Sequence, residues 1–417
     1  MSRYRALLGC GLVIGTLGVV GCGSSSSSGS GSSSSDSAGS SASASTSAAA
    51  SSGPATGSPY KIALLEPTTG ALASIATQIA DAGKYAVAAV NAKGGAGGHP
   101  LQLQILDTQL DPGTAASDYQ QAATQDGALA VLGPLISPEV NAAIPVARRT
   151  QVPMLIPGAA DIDFTHPVQP LIFRFGSEES QDDKAMANMT KHLGCTKVAF
   201  LYDNGALGLS SKQDIAQDIS HFTVSVQISE TATDLTPALD QIKAAGAQCI
   251  IEATDDLGGV GAMVRTMANI GYKVPVLGDS GVTLAPFAAT AGTALKSVPV
   301  YGTNVFNPDS ASFKSAFAGY SAKYGALPTV EEVGTTWDSV QALAAALKAD
   351  GGKGGTTLAS ALQSVTGGQI TSVIAANGAT PSFSSSNHDW VPDSQDQMYR
   401  VLNGASGPKL QATGIGG

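Results

Sequence analysis

Short apolar runs alternate with helical stripes along most of the chain that follows residue 59. The first run, at 60–65, precedes a stripe at 75–90 in which apolar residues recur every three or four positions. Such runs predict buried strands, and such stripes predict amphipathic helices. Further strands are predicted at 101–105, 130–132 and 153–156, with helices at 114–124 and 138–148. This alternation predicts a parallel sheet with helices on both faces.

The same alternation restarts in a second half of the chain. Strands are predicted at 197–202, 223–228, 249–252 and 274–277, with helices at 210–219, 235–245 and 260–270. Two later helices, at 313–324 and 336–348, have no strands of their own and need an existing sheet to pack on. We therefore expect the chain to return to the first half near Gly302, and to cross again at a strand-like stretch, 380–383.

The predicted fold class is α/β, with two doubly wound parallel-sheet lobes. The first lobe is expected to comprise 59–176 plus 303–380, and the second 177–302 plus 381–413. A chain of 417 residues with 43% hydrophobic residues is long enough to form two such cores. In doubly wound sheets, the loops at the carboxyl ends of the strands form the crevice in which ligands bind.

The first 58 residues differ in composition from the rest of the chain. Arg3 and Arg5 precede an uncharged apolar run, which predicts a signal peptide over residues 1–21. The run ends in a glycine followed by Cys22, and this ending resembles the bacterial lipobox, in which the cysteine is acylated and becomes the mature N-terminus. An ordinary signal peptide with an incidental cysteine is the alternative.

Residues 22–58 are almost all Ser, Gly, Ala or Thr, which predicts a flexible tether. A Gly/Ser coil of this length spans about 30–35 Å as a root-mean-square distance. A tether is useful when its start is anchored. We therefore expect Cys22 to carry lipid and to hold the protein on the extracytoplasmic side of a membrane, while Cys10 is removed with the signal peptide.

The charge of the chain argues against several kinds of partner. The formal net charge is −10 and no run of Lys or Arg occurs, so neither nucleic acid nor an electrostatic membrane patch is expected. Five scattered histidines without a Cys/His cluster argue against a metal site. No phosphate-cradling glycine loop is present, and no cofactor is expected.

Cys195 and Cys249 are the two cysteines outside the N-terminal region. The first lies just before the first strand of the second lobe, and the second begins that lobe's third strand. These strands are neighbours in a doubly wound lobe, and paired strands lie about 4.8 Å apart, within reach of a disulfide. In an exported chain we therefore expect the two cysteines to be bridged. Two buried free thiols are the alternative.

Several sequence blocks, taken in order, resemble the leucine/isoleucine/valine-binding protein family. They are NAKGGAGGHPL at 91–101, GPLIS at 133–137, IPGAA at 156–160, FR at 173–174 and RTMANIGY at 265–272. The resemblance implies a type I periplasmic-binding fold, with two lobes, three crossing segments and a ligand cleft between them. It also implies a monomeric, non-enzymatic substrate-binding protein, which captures a small polar organic solute by lobe closure and delivers it to an ABC permease and its ATPase.

The resemblance further implies which residues contact the ligand. Ser137 occupies the position of a serine that holds a ligand carboxylate, and Ala159 that of a backbone carbonyl. Where the family has a threonine, a tyrosine and a second-lobe acid, this chain has Ala160, Leu207 and Ser280. Losing a hydrogen-bonding partner of a buried charged group costs about 1.5–3 kcal/mol. The cleft is therefore not expected to hold a zwitterionic amino acid in the family's usual way.

Four aspartates are candidates to replace the missing acid. Asp279 is adjacent to Ser280, and Asp161, Asp255 and Asp256 are the others. Each is also a residue type that stabilises turns through its own backbone. We expect ligand contacts from among Asp161, Asp256 and Asp279.

Two other functions remain open. The same two-lobed clamp serves in ligand-sensing receptors that report to a signalling partner, because both uses depend on ligand-driven closure. The tetrapeptide GDSG at 278–281 is similar to the nucleophile segment of trypsin-like proteases, so a secreted hydrolase that uses Ser280 is a remote alternative. That chemistry needs a histidine base and an orienting acid, and none of the five histidines has a protease-like context. No catalytic residue is therefore assigned.

Overall fold

Two separate β-sheets organise the part of the chain that the computed structural model describes. That part comprises residues 55–229, 232, 234–254, 256–374, 380–392, 397–404 and 407–416. One sheet has five strands and the other seven, and each packs around its own buried apolar residues. The predicted α/β fold with two doubly wound lobes is confirmed. The expected signal peptide and nearly all of the expected tether lie outside the described residues.

The first lobe is built around a parallel sheet in the order β2-β1-β3-β4-β5. Its strands are β1 (Tyr60–Glu66), β2 (Leu101–Asp107), β3 (Val131–Leu132), β4 (Met154–Ile156) and β5 (Ile172–Arg174). Between them run the helices α1 (Ala73–Ala92), α2 (Pro112–Thr124) and α3 (Ser137–Thr150). Residues 62–65 of β1 are at most 1% exposed, because a parallel sheet covered on both faces buries both sides of its strands.

The second lobe contains the larger sheet, in the order β12-β11-β10-β9-β8-β6-β7. Its parallel strands are β6 (Val198–Tyr202), β7 (Val224–Gln227), β8 (Cys249–Ala253), β9 (Val276–Gly278) and β10 (Val300–Asn304). Its helices are α4 (Glu179–His192), α5 (Ala206–Asp218), α6 (Thr236–Ala244), α7 (Leu257–Asn269) and α8 (Ala285–Ala291). Two antiparallel strands, β11 (Gln397–Gly404) and β12 (Gly407–Gly416), extend the sheet beyond β10. The sequence pattern did not predict this antiparallel edge.

The segment that follows β10 returns to the first lobe, as its strandless helices required. The helices are α9 (Ala311–Ala316), α10 (Ser321–Tyr324), α11 (Glu331–Asp350) and α12 (Gly355–Leu362). Their buried residues, including Phe313, Trp337 and Leu358, belong to the first-lobe core. The chain enters the first lobe at Val305, two residues after the expected boundary at 303. Asn304 still pairs with β11, whereas Val305 lies in the first-lobe core.

The single helix predicted at 313–324 is wrong, because it is interrupted between α9 and α10. Ser310 caps the first turn of α9 by accepting a hydrogen bond from the amide of Phe313 (3.2 Å). The amide of Gly319 then donates to the hydroxyl of Tyr85 on α1 (3.0 Å), so it does not continue a helical hydrogen-bond ladder. A contact with a neighbouring helix, which periodicity cannot show, therefore ends the helix.

The strand-like crossing predicted at 380–383 is also wrong. Ser382 makes only an isolated bridge, to Thr366, and the rings of Phe383 and Trp390 lie in the first-lobe core. The indole of Trp390 also donates to Asp338 of α11 (2.9 Å). These buried rings hold the chain in the first lobe through Val391. The last crossing therefore comes between Val391 and β11, about ten residues after the predicted boundary at 380.

Arg174 ties together two of the three segments that join the lobes. It is fully buried at the end of β5, and it donates to Glu178, which precedes α4, and to Asp389, which precedes the last crossing (2.8 Å each). It also donates to the carbonyls of Ala160 (3.0 Å) and Asp161 (2.9 Å) and to the hydroxyl of Thr165 (3.0 Å). One guanidinium thus fixes the first and last crossings against the loop that follows β4. We interpret the nearby carboxylates as the counter-ions of this buried cation.

The second lobe contains a disulfide between Cys195 and Cys249, which confirms the predicted pair. The two Cα atoms lie 6.0 Å apart, a usual separation for a disulfide. Cys249 begins β8, whose neighbour β6 follows Cys195 along the chain. The bridge therefore closes a loop that contains two of the lobe's helices. Separately, none of the described helices is long and apolar enough to cross a membrane.

Reducing the disulfide should destabilise the protein. For a sequence separation of 54 residues, the loss of loop closure in the unfolded chain corresponds to about 4 kcal/mol. We expect dithiothreitol to lower the midpoint of urea unfolding accordingly. The double variant Cys195→Ala/Cys249→Ala is the control and should unfold at the same urea concentration with and without reductant. An unchanged midpoint for the wild-type protein in reductant would contradict the prediction.

Candidate ligand-binding cleft

A cavity of about 750 Å³ lies between the two lobes. Its walls include the loop after β3, the loop after β4 and the start of α11 from the first lobe. From the second lobe they include one face of α4, the first turn of α5, the end of β8 and the loop after β9. Most of these segments follow the carboxyl ends of parallel strands, where doubly wound sheets bind ligands. The volume is in the range usual for small-molecule sites.

Seven of the eight residues proposed from the sequence line this cavity. They are Ser137, Ala159, Ala160, Asp161, Leu207, Asp279 and Ser280. Asp256 is not among the lining residues, and its side chain caps α7 by accepting a hydrogen bond from the amide of Gly259 (2.8 Å). The prediction that Asp256 reaches the ligand therefore has no support from its position. Asp255 lies outside the described residues.

The first-lobe wall offers hydroxyl and backbone groups that differ in their availability. Ser137 is the first residue of α3, and its hydroxyl has no hydrogen bond to any described residue. The carbonyls of Ala160 and Asp161, in contrast, already accept from Arg174. The side chain of Asp161 accepts from the amide of Asp163 (3.0 Å). The hydroxyl of Ser137 is thus an uncommitted polar group in this wall, whereas the carbonyls of Ala160 and Asp161 are already bonded.

Six further acidic residues line the cavity, and the sequence interpretation missed all of them. They are Glu179, Asp182, Asp183, Glu252, Glu331 and Glu332. With Asp161 and Asp279, the cavity wall carries eight carboxyl groups, whereas no Lys, Arg or His is among its described lining residues. None of the ion pairs found in the described part of the chain involves Asp161, Glu179, Asp183, Glu252, Glu331 or Glu332. The cleft is therefore strongly and one-sidedly acidic.

Three of the acids lie on one face of α4. Glu179, Asp182 and Asp183 stand at positions i, i+3 and i+4, which places them side by side on a helix surface. The facing serines of α5 bond to two of them: Ser210 donates to Glu179 (2.9 Å), and Ser211 donates to Asp183. The sequence signal that could have revealed the acidic wall was this i, i+3, i+4 spacing of acids, which no basic residue shares.

Two more acids meet where β8 and β9 end. Glu252 of β8 is 1% exposed, and its carboxyl accepts from the hydroxyl of Thr254 (3.3 Å). A Cβ atom at Gly278 of β9 would collide with this carboxyl, so only glycine leaves room for it. Asp279 follows directly and accepts from the amide of Gly281 (2.7 Å). Asp279 therefore shapes the turn after β9 as well as lining the cavity.

The last pair, Glu331 and Glu332, begins α11. Negative side chains are favourable in the first turn of a helix, which accounts for the placement but not for the burial. Glu331 is 4% exposed, and one of its carboxyl oxygens accepts from the amide (3.1 Å) and the hydroxyl (3.2 Å) of Ser177. Its other oxygen has no partner among the described residues. Glu331 thus connects the first crossing segment to α11 beside the cavity.

Burial raises the pKa of several of these carboxyl groups. Desolvation is the main cause of a pKa of about 7 for Glu179, against the hydrogen bond from Ser210. Desolvation also raises the pKa of Asp183 to about 9, against the hydrogen bond from Ser211. The pKa values of Glu252 and Glu331 are well above the ordinary value for the same reason, and neighbouring acids add to the rise. Without a cation in the cleft, part of this wall is protonated near neutral pH.

The remaining walls of the cavity are aliphatic. They consist of Leu72, Ile75, Leu110, Leu135, Ile136, Met186, Leu207, Leu257 and Leu284, together with Pro138 and small residues. No aromatic side chain is among the described lining residues. The cavity therefore combines an apolar surface for a carbon chain with carboxyl groups grouped on α4, β8 and α11.

The geometry gives no support to a trypsin-like role for Ser280. It begins a short 3-10 turn after Asp279, and its carbonyl accepts from the hydroxyl of Thr283 (2.6 Å). The histidine base that such a nucleophile requires is not among the cavity's described residues. The sequence GDSG is explained here by the turn that follows β9.

Comparisons with known proteins agree with the resemblance seen in the sequence blocks. A family profile described as "Periplasmic binding protein" matches residues 59–391. The amino acid binding protein of Pseudomonas aeruginosa is 26% identical over 240 residues, covering 55% of this chain and 63% of that protein. The Leu/Ile/Val-binding protein homolog 1 of Brucella suis is 25% identical over 298 residues, covering 68% and 77%. The chain thus spans less than two thirds of the first of these relatives. The match over residues 59–391 confirms the predicted family.

Solved structures show the same fold. The branched-chain amino acid transporter substrate-binding protein LivJ of Streptococcus pneumoniae, in complex with isoleucine, superposes with a TM-score of 0.73 at 23% identity, covering 86% of this chain and 99% of that one. A solute-binding protein of Rhodopseudomonas palustris, in complex with p-hydroxybenzoic acid, gives 0.73 at 19% identity, covering 85% and 96%. The two ligands differ in chemistry, so the shared fold does not define what this cleft binds.

The stability of the ligand-free protein should fall as the pH rises. Folding raises the pKa of Glu179 to about 7 and of Asp183 to about 9, whereas both titrate near about 4 in an unfolded chain. The stability that these protonated groups contribute is complete when the pH is below their pKa in the unfolded chain. It is lost as the pH rises through their pKa values in the folded protein. We expect the melting temperature to decrease from pH 5 to pH 9.

The variant Asp183→Asn should flatten this decrease, since the amide keeps an acceptor for Ser211 but does not titrate. Asp309→Asn is the matched control, because Asp309 is an exposed acid whose pKa is lowered by its hydrogen bond to Lys314. It should leave the slope unchanged. A melting temperature that is level or rises between pH 5 and pH 9 in wild-type protein would contradict the prediction.

Proposed function

Because the chain belongs to the periplasmic binding protein family, we propose that it is the extracytoplasmic substrate-binding component of an ABC importer. It captures a small polar organic solute between its lobes and delivers it to the permease and ATPase. The observation that carries this proposal is the cavity of about 750 Å³, walled by strand ends of both lobes. A ligand in that position contacts both halves of the protein at once.

The arrangement supports closure of the lobes around the ligand. The lobes are separate cores joined by three segments, and Arg174 holds two of these segments together at the base of the cleft. Two rigid lobes with few connections favour a hinge motion. A ligand that touches both lobes binds the closed form better and so shifts the population toward it. Closure gives the permease a surface that signals occupancy.

The residues proposed to contact the solute divide between the lobes. Ser137, Ala159, Ala160 and Asp161 would act from the first lobe, and Leu207, Asp279 and Ser280 from the second. Relatives of the chain are named as binders of amino acids. The family's threonine, tyrosine and second-lobe acid are absent from the matching positions, which supports a solute other than a neutral amino acid held in the family's usual way.

We expect one chemical class of solute to stabilise the protein in a thermal-shift screen of branched amino acids, other amino acids, amides, amines, small carboxylates and aromatics. Ligand at a hundred times its dissociation constant adds about 2.7 kcal/mol to the free energy of unfolding. Ser137→Trp should abolish the shift by filling the cavity, whereas Ser386→Trp, at an exposed serine outside it, should not. The proposal fails if no class stabilises the wild-type protein. A full shift with leucine or valine would show that the family's usual ligand is retained.

The N-terminal region supports a lipid anchor on Cys22. A charged start, an uncharged apolar run and a cysteine are followed by a Ser/Gly-rich tether that ends near Tyr60 of β1. An acylated Cys22 would hold the lobes near a membrane-embedded permease while leaving them free to reorient. This part of the proposal rests on the sequence, since residues 1–54 lie outside the described part.

Cys22→Ala should release the protein from the membrane fraction into the soluble extracytoplasmic fraction. Cys10→Ala is the matched control, because Cys10 would be removed with the signal peptide, and it should leave membrane association unchanged. Mass spectrometry of the wild-type N-terminus should detect an acylated cysteine. Membrane association that survives Cys22→Ala would rule out this anchor.

A further inference from the structure

We propose that the solute is an organic cation: an aliphatic compound whose protonated amine or guanidinium groups donate hydrogen bonds to the carboxyl groups of the cleft. This inference rests on the proposed function, because it names the class of ligand that the same cavity takes. It separates this cleft from those of the relatives named for neutral amino acids and from the neighbours solved with benzoates.

The first argument is the charge of the wall. Eight carboxyl groups line the cavity, and no basic side chain lies among its described lining residues. A buried carboxylate without a counter-ion is unfavourable, so such groups pair with a cation or take up protons. An anionic ligand such as a benzoate would add to the repulsion and would find no guanidinium or ammonium to bind.

The second argument is independent of charge and concerns hydrogen bonds. Glu331 and Asp183 line the cavity and are 4% and 1% exposed. Oε2 of Glu331 and Oδ2 of Asp183 have no hydrogen-bond partner in the described part of the chain, and neither does Oε1 of Glu179. Buried polar atoms are nearly always hydrogen-bonded in folded proteins. These oxygens therefore point to a missing donor, and the cavity is where it can enter.

The donor must be an N–H group on a cation. An ammonium or guanidinium group supplies several N–H donors together with positive charge. A quaternary ammonium group has no N–H, and it is usually held by aromatic rings through cation–π contacts. The described lining residues include no aromatic ring. Primary or secondary amines and guanidines fit the wall, and quaternary ammonium compounds do not.

The size and apolar part of the cavity indicate an aliphatic chain rather than a bare ion. A volume of about 750 Å³ holds a small organic molecule, and the walls between the acids include leucines, two isoleucines and a methionine. The acids come from separated elements, α4, β8 and α11. A ligand with two cationic centres joined by methylene groups can reach more than one of these elements, and bridging them would favour closure.

Binding of such a ligand should depend on pH. The charged groups that face Asp183 and Glu179 are Asp182 on α4, Asp214 on α5 and Asp279 after β9. Those that face Glu331 are Asp182 and Glu332. All of these neighbouring groups are acids. A bound cation would be the only positive charge among them, and it would favour their ionised forms. Affinity should therefore rise from pH 6 to pH 8.5.

Isothermal titration calorimetry on the intact protein tests the inference with defined probes. The cationic probes are 1,4-diaminobutane, spermidine, lysine and arginine, which distinguish simple amines from basic amino acids. The other probes are 1,4-butanediol, which has the same chain without charge, leucine, 4-hydroxybenzoate, choline and Ca²⁺. We expect at least one of the four cationic probes to bind. Each of the five non-matching probes, from 1,4-butanediol to Ca²⁺, should bind at least tenfold more weakly than that one.

Variants then connect the binding to the wall. Asp183→Asn and Glu331→Gln should each weaken the best cationic probe at least tenfold, and two variants guard against one that fails to fold. Asp309→Asn removes one negative charge from the exposed surface and should leave the affinity unchanged. Circular dichroism confirms the fold of each variant.

The outcomes separate this inference from the function on which it rests. If leucine, 4-hydroxybenzoate, 1,4-butanediol, choline or Ca²⁺ binds most tightly, the solute is not an amine or guanidine and the inference is overturned. With any of these probes except Ca²⁺, the proposed binding-protein function would still stand. Cation binding that Asp183→Asn and Glu331→Gln do not weaken would also overturn the inference. If no probe of any class binds, and the wider solute screen is also silent, the proposed function fails as well.

Discussion

The arrangement of this protein depends on carboxyl groups buried in a cleft without cations of their own. Removing a carboxylate from water is unfavourable, and a fold tolerates it only where the rest of the structure holds the group in place. Here the helix face of α4, the ends of β8 and β9 and the first turn of α11 each bring acids to one cavity. Burial raises the pKa of several of them, which favours their protonated forms.

The one buried cation described near this region, Arg174, serves the scaffold instead. Its guanidinium is bonded to Glu178, Asp389 and two carbonyls of the loop after β4. It fixes the segments that join the lobes, and it is not itself among the described residues that line the cavity. By contrast, none of the ion pairs in the described part of the chain reaches Glu179, Asp183 or Glu331 in the cavity wall.

The order of strands and helices could be predicted largely from periodicity, because buried parallel strands and amphipathic helices leave different repeats in a sequence. Failures came where a tertiary contact overrides the local pattern. Gly319 bonds to Tyr85 and divides a helix, and Phe383 and Trp390 pack in the first core, so the chain crosses later than expected. The strands β11 and β12 form an antiparallel edge that the alternation of strand and helix does not encode.

The cleft was predicted in part for a related reason. Resemblance to a family indicates which loops reach the cavity, and it therefore placed Ser137, Ala160 and Ser280 in the wall. It cannot indicate residues outside the matched sequence blocks, and the acids of α4 and α11 lie outside those blocks. Their helical spacing was visible, but the knowledge that this face turns inward needed the packing of α4 against α5.

Counting the protons that leave the protein when a cation binds tests the central claim most directly. Calorimetric titration of the best-binding amine near pH 7.5, in buffers of different ionisation enthalpy, gives that number. An aliphatic amine stays fully protonated at this pH, so released protons come from the protein. The account predicts the release of at least one proton per bound ligand, whereas no release, or an uptake of protons, would contradict it.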